Sequence, residues 1–222
     1  MVLIACAFFG ASSGAAIAQA ATMQATSAQA AGAPLRIVAF GDSLTAGYEI
    51  ARKDAFPARL EAALKAKGHA VVIENAGVSG DTTSGGLGRV DWAVPPETDG
   101  VILELGANDM LRGLDPKIAR DALDSIITQL KARGVEVLLC GMRAAPNLGA
   151  DYGRIYDAIF PDLARKHGLI LYPFFLDGVT TQAKFTLPDG LHPSAAGVDA
   201  IVTGILPQAE EFLGRIRAKR KS

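Results

Sequence analysis

A serine, a histidine and an aspartate in this sequence have the types and spacing needed for nucleophilic catalysis. Ser43 is the third residue of a Gly-Asp-Ser-Leu segment at 41–44, directly after a short apolar run. A serine hydroxyl is a weak nucleophile at neutral pH and needs an adjacent base. His192 is a candidate base, and Asp189, three residues before it, could accept a hydrogen bond from its Nδ1. The other ring nitrogen would then be free to take the proton of Ser43.

Acyl transfer also needs hydrogen-bond donors where the carbonyl oxygen becomes negative. Three groups are candidates for this oxyanion hole: the backbone N–H of Ser43, the backbone N–H of Gly80 and the side-chain amide of Asn108. Gly80 has no side chain, so its N–H can approach a ligand closely. The amide of Asn108 carries two donor hydrogens. Together these residues predict a serine hydrolase.

Each of the five residues also has an ordinary structural alternative. Ser43 could cap a helix that follows a strand, and Asp189 could cap a later helix. Gly80 could belong to a simple turn, Asn108 could occupy a left-handed turn, and His192 could be a surface histidine. The occurrence of all five in one chain favours the catalytic interpretation.

Two further aspartates, Asp42 and Asp109, lie beside candidate site residues. We interpret both as structural residues that hydrogen-bond the loop backbones, and not as a catalytic pair or as metal ligands. No cysteine–histidine cluster indicates a metal site. The glycines at 77–88 resemble a phosphate loop, but the required Gly-Lys-Ser/Thr is missing. The sequence therefore predicts no metal and no cofactor.

The composition is that of one globular domain with a full core. The chain has 222 residues, half of them hydrophobic, and a formal net charge of −1. A nucleic-acid partner would require a basic face, which this balance does not suggest. The basic residues near the C-terminus are interpreted as a solvated helix end that suits the helix dipole. They are Arg215, Arg217, Lys219, Arg220 and Lys221.

The N-terminal region predicts export. Residues 1–20 are apolar, small and uncharged, and they end in Ala-Gln-Ala, a small-x-small pattern typical of signal-peptidase sites. The stretch is too short and too rich in small residues for a spanning helix, so no stable membrane anchor is expected. We interpret residues 21–34 as a disordered linker, residues 35–218 as the hydrolase domain and residues 219–222 as a basic tail. The expected location is periplasmic or secreted.

The two cysteines do not predict a disulfide in the mature chain. Cys6 lies in the predicted signal peptide, so its removal would leave one thiol. Cys140 lies in an apolar run with no histidine nearby in the sequence. We interpret it as a buried strand residue and not as a nucleophile.

Apolar runs alternate with helical patterns from residue 35 onward, which predicts an α/β fold with a parallel sheet and helices on both faces. The predicted strands are 35–40, 69–74, 100–105, 135–140 and 169–172. The predicted helices are 56–67, 82–90, 116–133, 152–167 and 195–216. Most of the candidate site residues fall in loops that follow strands, and open α/β sheets bind ligands at that edge.

Four sequence blocks, in order, resemble those of the SGNH/GDSL hydrolase superfamily. They are the Gly-Asp-Ser-Leu segment at 41–44, Gly80, Gly106-x-Asn108-Asp109 and Asp189-x-x-His192. Longer stretches at 75–82, 103–106, 108–113 and 172–175 resemble the bacterial periplasmic acyl-thioesterases, a group also described as lysophospholipases and arylesterases. The resemblance covers residues 35–213.

This resemblance implies a flavodoxin-like three-layer α/β/α sandwich with a five-stranded parallel sheet. It also implies hydrolysis of small-molecule acyl esters and thioesters through an acyl-enzyme on Ser43, with no obligate protein partner. The position after Gly106 is often glycine in that group, whereas here it is Ala107. The added methyl group lies near the expected acyl pocket, which Met110 could also line.

Two other functions remain open from the sequence. A carbohydrate O-deacetylase on the same fold would need a polar, open sugar groove. Leu111, Leu114 and Leu148, which are expected near the pocket mouth, favour acyl chains instead. The more remote alternative is a non-catalytic binding module.

Overall fold

The computed structural model describes residues 33–180 and 182–221. The predicted signal peptide, Cys6 and most of the predicted linker lie outside the described residues. Leu35–Ser222 form one compact unit. None of the described helices is long and apolar enough to cross a membrane.

Within the described residues, five strands form one parallel sheet. The strands are β1 (Leu35–Gly41), β2 (Val71–Gly77), β3 (Gly100–Glu104), β4 (Glu136–Cys140) and β5 (Ile170–Tyr172). Their order across the sheet is β2-β1-β3-β4-β5, and all neighbouring pairs are parallel. The central strands are almost wholly buried, as expected for a sheet covered on both faces. The predicted α/β fold with a five-stranded parallel sheet is confirmed.

Helices connect the strands and continue to the end of the chain. They are α1 (Ser43–Ala46), α2 (Phe56–Ala66), α3 (Thr83–Ala93), α4 (Ala107–Leu111), α5 (Pro116–Ala132), α6 (Ala150–Asp157), α7 (Ile159–His167) and α8 (Ala195–Lys219). Short 3-10 turns occupy Arg52–Asp54 and Pro146–Leu148.

The helices cover both faces of the sheet. A Cβ added to Gly100 would lie 2.4 Å from Phe212 of α8, whereas one added to Gly86 of α3 would lie 3.3 Å from Phe40. Gly100 is in register with Ile37, three residues before Phe40, so the two positions face opposite sides of the sheet. Accordingly α8 packs with α2 on one face, and α3 packs with α5 on the other. These contacts give three layers.

The carboxyl ends of the central strands are aligned. Gly41 of β1 is in register with Gly77 of β2 and with Glu104 of β3, and Glu104 is in register with Cys140 of β4. The loops that follow these strands therefore emerge along one edge of the sheet. Cys140 is fully buried with a free thiol, as predicted, and burial raises the pKa of that thiol.

Three differences from the predicted elements have physical causes. β2 continues through residues 75–77, expected as a loop, because they pair with the end of β1. The predicted helix 152–167 is two helices, since Pro161 has no N–H to bond the carbonyl of Asp157. The last helix continues to Lys219, into the segment predicted as a basic tail, and Arg220 donates to Asp99 at 2.6 Å.

Candidate active site

Ser43 lies at the first turn after β1. Asp42 caps α1, since its Oδ1 accepts from the N–H of Leu44 at 3.0 Å. Ser43 is the first residue of that helix, so its own N–H has no intrahelical carbonyl partner. The turn is crowded: a Cβ on Gly41 would lie 2.1 Å from Thr45 Oγ1. The glycine before Asp42 is therefore required by close approach, and it brings Ser43 to the edge of the sheet.

The structure brings the three predicted catalytic side chains into one hydrogen-bonded chain. His192 Nε2 lies 2.9 Å from Ser43 Oγ, and His192 Nδ1 lies 2.6 Å from Asp189 Oδ2. Because an ionised carboxylate only accepts, Nδ1 carries the proton of the second bond. Nε2 is then the acceptor that faces the serine hydroxyl. This arrangement can remove a proton from Ser43.

A tight turn fixes Asp189 against the imidazole. Its Oδ1 accepts from the backbone N–H groups of Leu191 and His192 at 2.9 and 3.0 Å. Gly190 between them has a φ of +70°, a conformation that favours glycine. The His192 ring bond, followed by these two backbone bonds, lowers the pKa of Asp189 to about 2. The carboxylate therefore stays ionised throughout the neutral range.

Tyr48 is a contact of the histidine that the sequence did not single out. Its ring centroid lies 4.3 Å from that of His192, with the planes tilted by 32°. The ring covers one face of the imidazole and restricts its rotation. The only signal for Tyr48 in the sequence was its position as an aromatic residue directly after Gly47. In the structure, Gly47 ends α1 in a left-handed conformation.

Of the predicted oxyanion donors, Ser43 and Asn108 line one cavity, whereas Gly80 does not. Asn108 lies in α4, and its Nδ2 donates one hydrogen to Asp42 Oδ2 at 3.1 Å, which leaves the other hydrogen free. Ser43 and Asn108 both line the same cavity. Gly80 has a φ of +82° and is outside that lining, with its carbonyl accepting from Arg112 at 2.8 Å. Its role as a donor stays a prediction.

Asp109 holds the neighbouring loop, as predicted. Its two carboxylate oxygens accept from the N–H and the hydroxyl of Thr83 at 2.8 and 2.7 Å. Both residues are buried, so the bonds tie α4 to the start of α3. The structural interpretation of Asp109 is confirmed. That of Asp42 is confirmed for the Leu44 backbone bond, and its bond to Asn108 is an addition.

Arg89 is a second residue that sequence reasoning missed. Its guanidinium donates to the carbonyl of Gly41 at 2.8 Å and to the carbonyl of Ala76 at 2.9 Å. It also pairs with Asp81 at 2.7 Å and lies 4.0 Å over the ring of Phe40. One buried cation thus joins the carboxyl ends of β1 and β2 to the loop that contains Gly80.

An apolar cavity of about 370 Å³ opens beside Ser43 and His192. Its lining includes both residues predicted near the acyl pocket, Ala107 and Met110. Leu111 lines it as predicted, whereas Leu114 and Leu148 do not. Leu114 instead lies between α4 and α5, where its carbonyl accepts from Tyr152 at 3.0 Å. The remaining apolar surface comes mainly from Leu44, Met142, Ala144, Pro146, Phe174 and Leu176.

In residues 33–180 and 182–221, no group of three or more His, Cys, Asp or Glu side chains is arranged to hold a metal ion.

A parallel α/β sheet that carries linked Ser, His and Asp side chains at its carboxyl edge is typical of a serine hydrolase. The GDSL-like Lipase/Acylhydrolase family matches residues 39–200. The chain belongs to this family.

Relatives of this chain carry esterase and thioesterase names. It is 39% identical over 159 residues to "Arylesterase" of Vibrio mimicus, covering 71% of this chain and 80% of that one. It is 36% identical to "Thioesterase 1/protease 1/lysophospholipase L1" of Escherichia coli K12, covering 71% and 75%. The crystal structure of AlinE4, an SGNH-hydrolase family esterase, is 44% identical with a TM-score of 0.69, covering 81% and 97%.

Proposed function

We propose that the protein hydrolyses esters and thioesters of acyl chains through an acyl-enzyme on Ser43. The observation that carries this proposal is the chain of contacts from Asp189 through His192 to Ser43, which ends beside an apolar cavity. The names of the relatives, which include arylesterase, thioesterase and lysophospholipase, support the same substrate classes.

Acylation begins with proton transfer from Ser43 to His192. The serine oxygen attacks the substrate carbonyl while Nε2 accepts its proton, and the ionised Asp189 stabilises the imidazolium that forms. Negative charge develops on the carbonyl oxygen. The N–H of Ser43, the free amide hydrogen of Asn108 and the N–H of Gly80 are the proposed donors to it.

Collapse of the tetrahedral intermediate requires a proton on the leaving group. His192 Nε2–H donates it to the alcohol oxygen or to the thiolate sulfur, so the same ring serves as base and then as acid. Water then repeats the sequence on the acyl-enzyme, with His192 taking the proton of the water. The bond between the acyl carbon and Ser43 Oγ then breaks, His192 returns its proton to Ser43 Oγ, and the acid product leaves.

The cavity favours an acyl group over a sugar. Its lining is mainly side chains of Leu, Met, Ala and Phe, and burial of each methylene there contributes about 0.8 kcal/mol. The lining also contains one cation, Arg143, whose guanidinium lies 4.9 Å over the ring of Phe174. A carbohydrate O-deacetylase would need more hydrogen-bonding groups to hold its substrate.

A graded substrate panel tests the proposal. The purified protein and the Ser43→Ala variant are assayed on p-nitrophenyl esters and acyl-CoA thioesters of increasing chain length. We expect turnover by the parent on both classes and none above background by Ser43→Ala. Acetylated sugars are included in the panel, and turnover confined to them would support the O-deacetylase. A folded parent with no turnover on any substrate would contradict the proposal that the protein is an enzyme.

A further inference from the structure

Two carboxyl groups lie buried together beneath the nucleophile turn. Asp42 and Glu104 are both 0% exposed, and each carboxyl acts on the pKa of the other. Two ionised carboxylates only accept hydrogen bonds, so a bond between them requires a proton on one. Two carboxyl groups that interact in one buried site do not both ionise. The pair therefore carries one proton at neutral pH.

The hydrogen-bond partners decide which carboxyl holds that proton. Asp42 accepts from two N–H donors, the Leu44 backbone and the Asn108 amide, and these favour its ionised form. Glu104 Oε2 accepts from the hydroxyl of Thr45 at 2.8 Å. No N–H or hydroxyl among the described residues satisfies Glu104 Oε1. A proton on Glu104 Oε1, donated to Asp42, gives this buried oxygen a hydrogen-bond partner.

The electrostatics agree with the contacts. Burial, followed by the charge of Asp42, raises the pKa of Glu104 well above its usual range, although its hydrogen bonds to Thr45 and to the Asp42 backbone act in the opposite direction. Burial also raises the pKa of Asp42, to about 6, although its hydrogen bonds to Leu44 and Asn108 act in the opposite direction. Glu104 is thus the neutral member of the pair above that pH.

We propose that Glu104 is a positioning residue, protonated in the folded protein, that donates its proton to Asp42 and so holds the Asp42 anion where it orients Asn108 and caps α1. Glu104 is in register with Gly41, and a Cβ on Gly41 would lie 2.7 Å from Glu104 Oε2, so the carboxyl is packed directly against the turn. Its catalytic consequence rests on the proposed function, because Asn108 is there an oxyanion donor.

Other charged or titratable groups near the pair do not complicate this assignment between pH 6 and 8. Cys140 on β4 and Tyr156 on α6 both have pKa values raised by burial, so they stay neutral. The guanidinium of Arg89 donates to the carbonyl of Gly41. His192 acts on Asp42 from the cavity side. Its contribution is common to the parent and the variants, so it cancels in their comparison.

Two substitutions at Glu104 separate the proton from the side-chain volume. Glu104→Gln keeps a neutral donor to Asp42, whereas Glu104→Met keeps the size and removes the donor. We expect Glu104→Gln to retain kcat within about threefold, and Glu104→Met to lower kcat at least about tenfold with little change in KM. Equal loss in both variants, or no loss in Glu104→Met, would overturn the positioning role.

The protonation state of Glu104 can be tested without an activity assay, from the pH dependence of stability. Unfolding releases Glu104 to its ordinary pKa of about 4.3, so the parent loses a proton on unfolding above that pH. The parent's stability therefore falls as pH rises, and Glu104→Gln lacks this loss. We expect the Tm of Glu104→Gln relative to the parent to increase from pH 5 to pH 8. A constant difference would show that Glu104 is ionised when folded, whatever the substrate panel gives.

Discussion

Asn108 carries two amide hydrogens, and one of them is committed to Asp42 at 3.1 Å. The other is available to a substrate oxygen in the cavity. Asn108→Ala removes this donor, which we expect to lower kcat by about 10²–10³ with a small effect on KM, because the donor acts on charge that develops in the transition state. Steady-state kinetics on a p-nitrophenyl ester measures this.

The matched control is Asn147→Ala, an exposed asparagine outside the lining of the cavity. It should leave both constants within about twofold of the parent. If Asn108→Ala raised KM and left kcat unchanged, Asn108 would bind the ground state of the substrate and would not stabilise the oxyanion.

In the proposed mechanism, proton transfer depends on His192. We expect His192→Ala to lower kcat by about four to six orders of magnitude, because members of a catalytic triad act as a unit. His69→Ala is the control, since His69 pairs with Glu210 on the surface at 3.1 Å and contacts no site residue. Near-normal turnover by His192→Ala would exclude it as the base.

The contacts among Ser43, His192 and Asp189 were predictable because their sequence signals are local. Asp189 and His192 are three residues apart, and Ser43 follows a recognisable strand. Arg89 and Glu104 were missed because their partners are distant. Arg89 bonds a carbonyl 48 residues away, and Glu104 accepts from a hydroxyl 59 residues away. Only the alignment of strands in the sheet brings such groups together.

At the level of elements, the turn between β1 and α1 depends on the absence of a side chain at Gly41. A Cβ there would lie 2.5 Å from the backbone oxygen of Glu104, which cannot move aside easily. We expect Gly41→Ala to lower the free energy of unfolding by about 1–3 kcal/mol and to reduce kcat, because the turn that holds Ser43 must shift. Urea unfolding and kinetics measure the two effects.

For Gly88→Ala in α3 we expect the opposite effect on stability. A Cβ on Gly88 meets no atom within 4 Å, and alanine is favoured over glycine in a helix by about 0.5–1 kcal/mol. This variant should be slightly more stable than the parent, with unchanged kcat. If both glycine variants behaved alike, crowding at the Gly41 turn would not be the cause.

Element type was easier to predict than element boundaries. Alternating apolar and helical patterns indicated every strand and each long helix, but the short helices α1 and α4 were expected as loops. A helix of four or five residues has too few positions to show a periodicity. Likewise, residues 75–77 have no apolar run of their own, and they become strand through pairing with β1.

At the scale of the whole molecule, we propose that residues 1–20 direct export and are removed. The Ala-Gln-Ala pattern at 18–20 then places the new N-terminus at Ala21. Expression of the full chain in a bacterial host, followed by intact mass measurement of the periplasmic fraction, should give a chain beginning at Ala21. Full-length protein retained in the cytoplasm would contradict this proposal.

The central claim is that Ser43 is the nucleophile of a serine hydrolase, and covalent labelling tests it most directly. The folded protein is treated with a fluorophosphonate, and the adduct is located by peptide mass spectrometry. We predict one adduct per chain, on Ser43, with loss of esterase turnover in proportion to labelling and no adduct on Ser43→Ala. A folded protein that is not labelled, or is labelled elsewhere while it loses turnover, would contradict the claim.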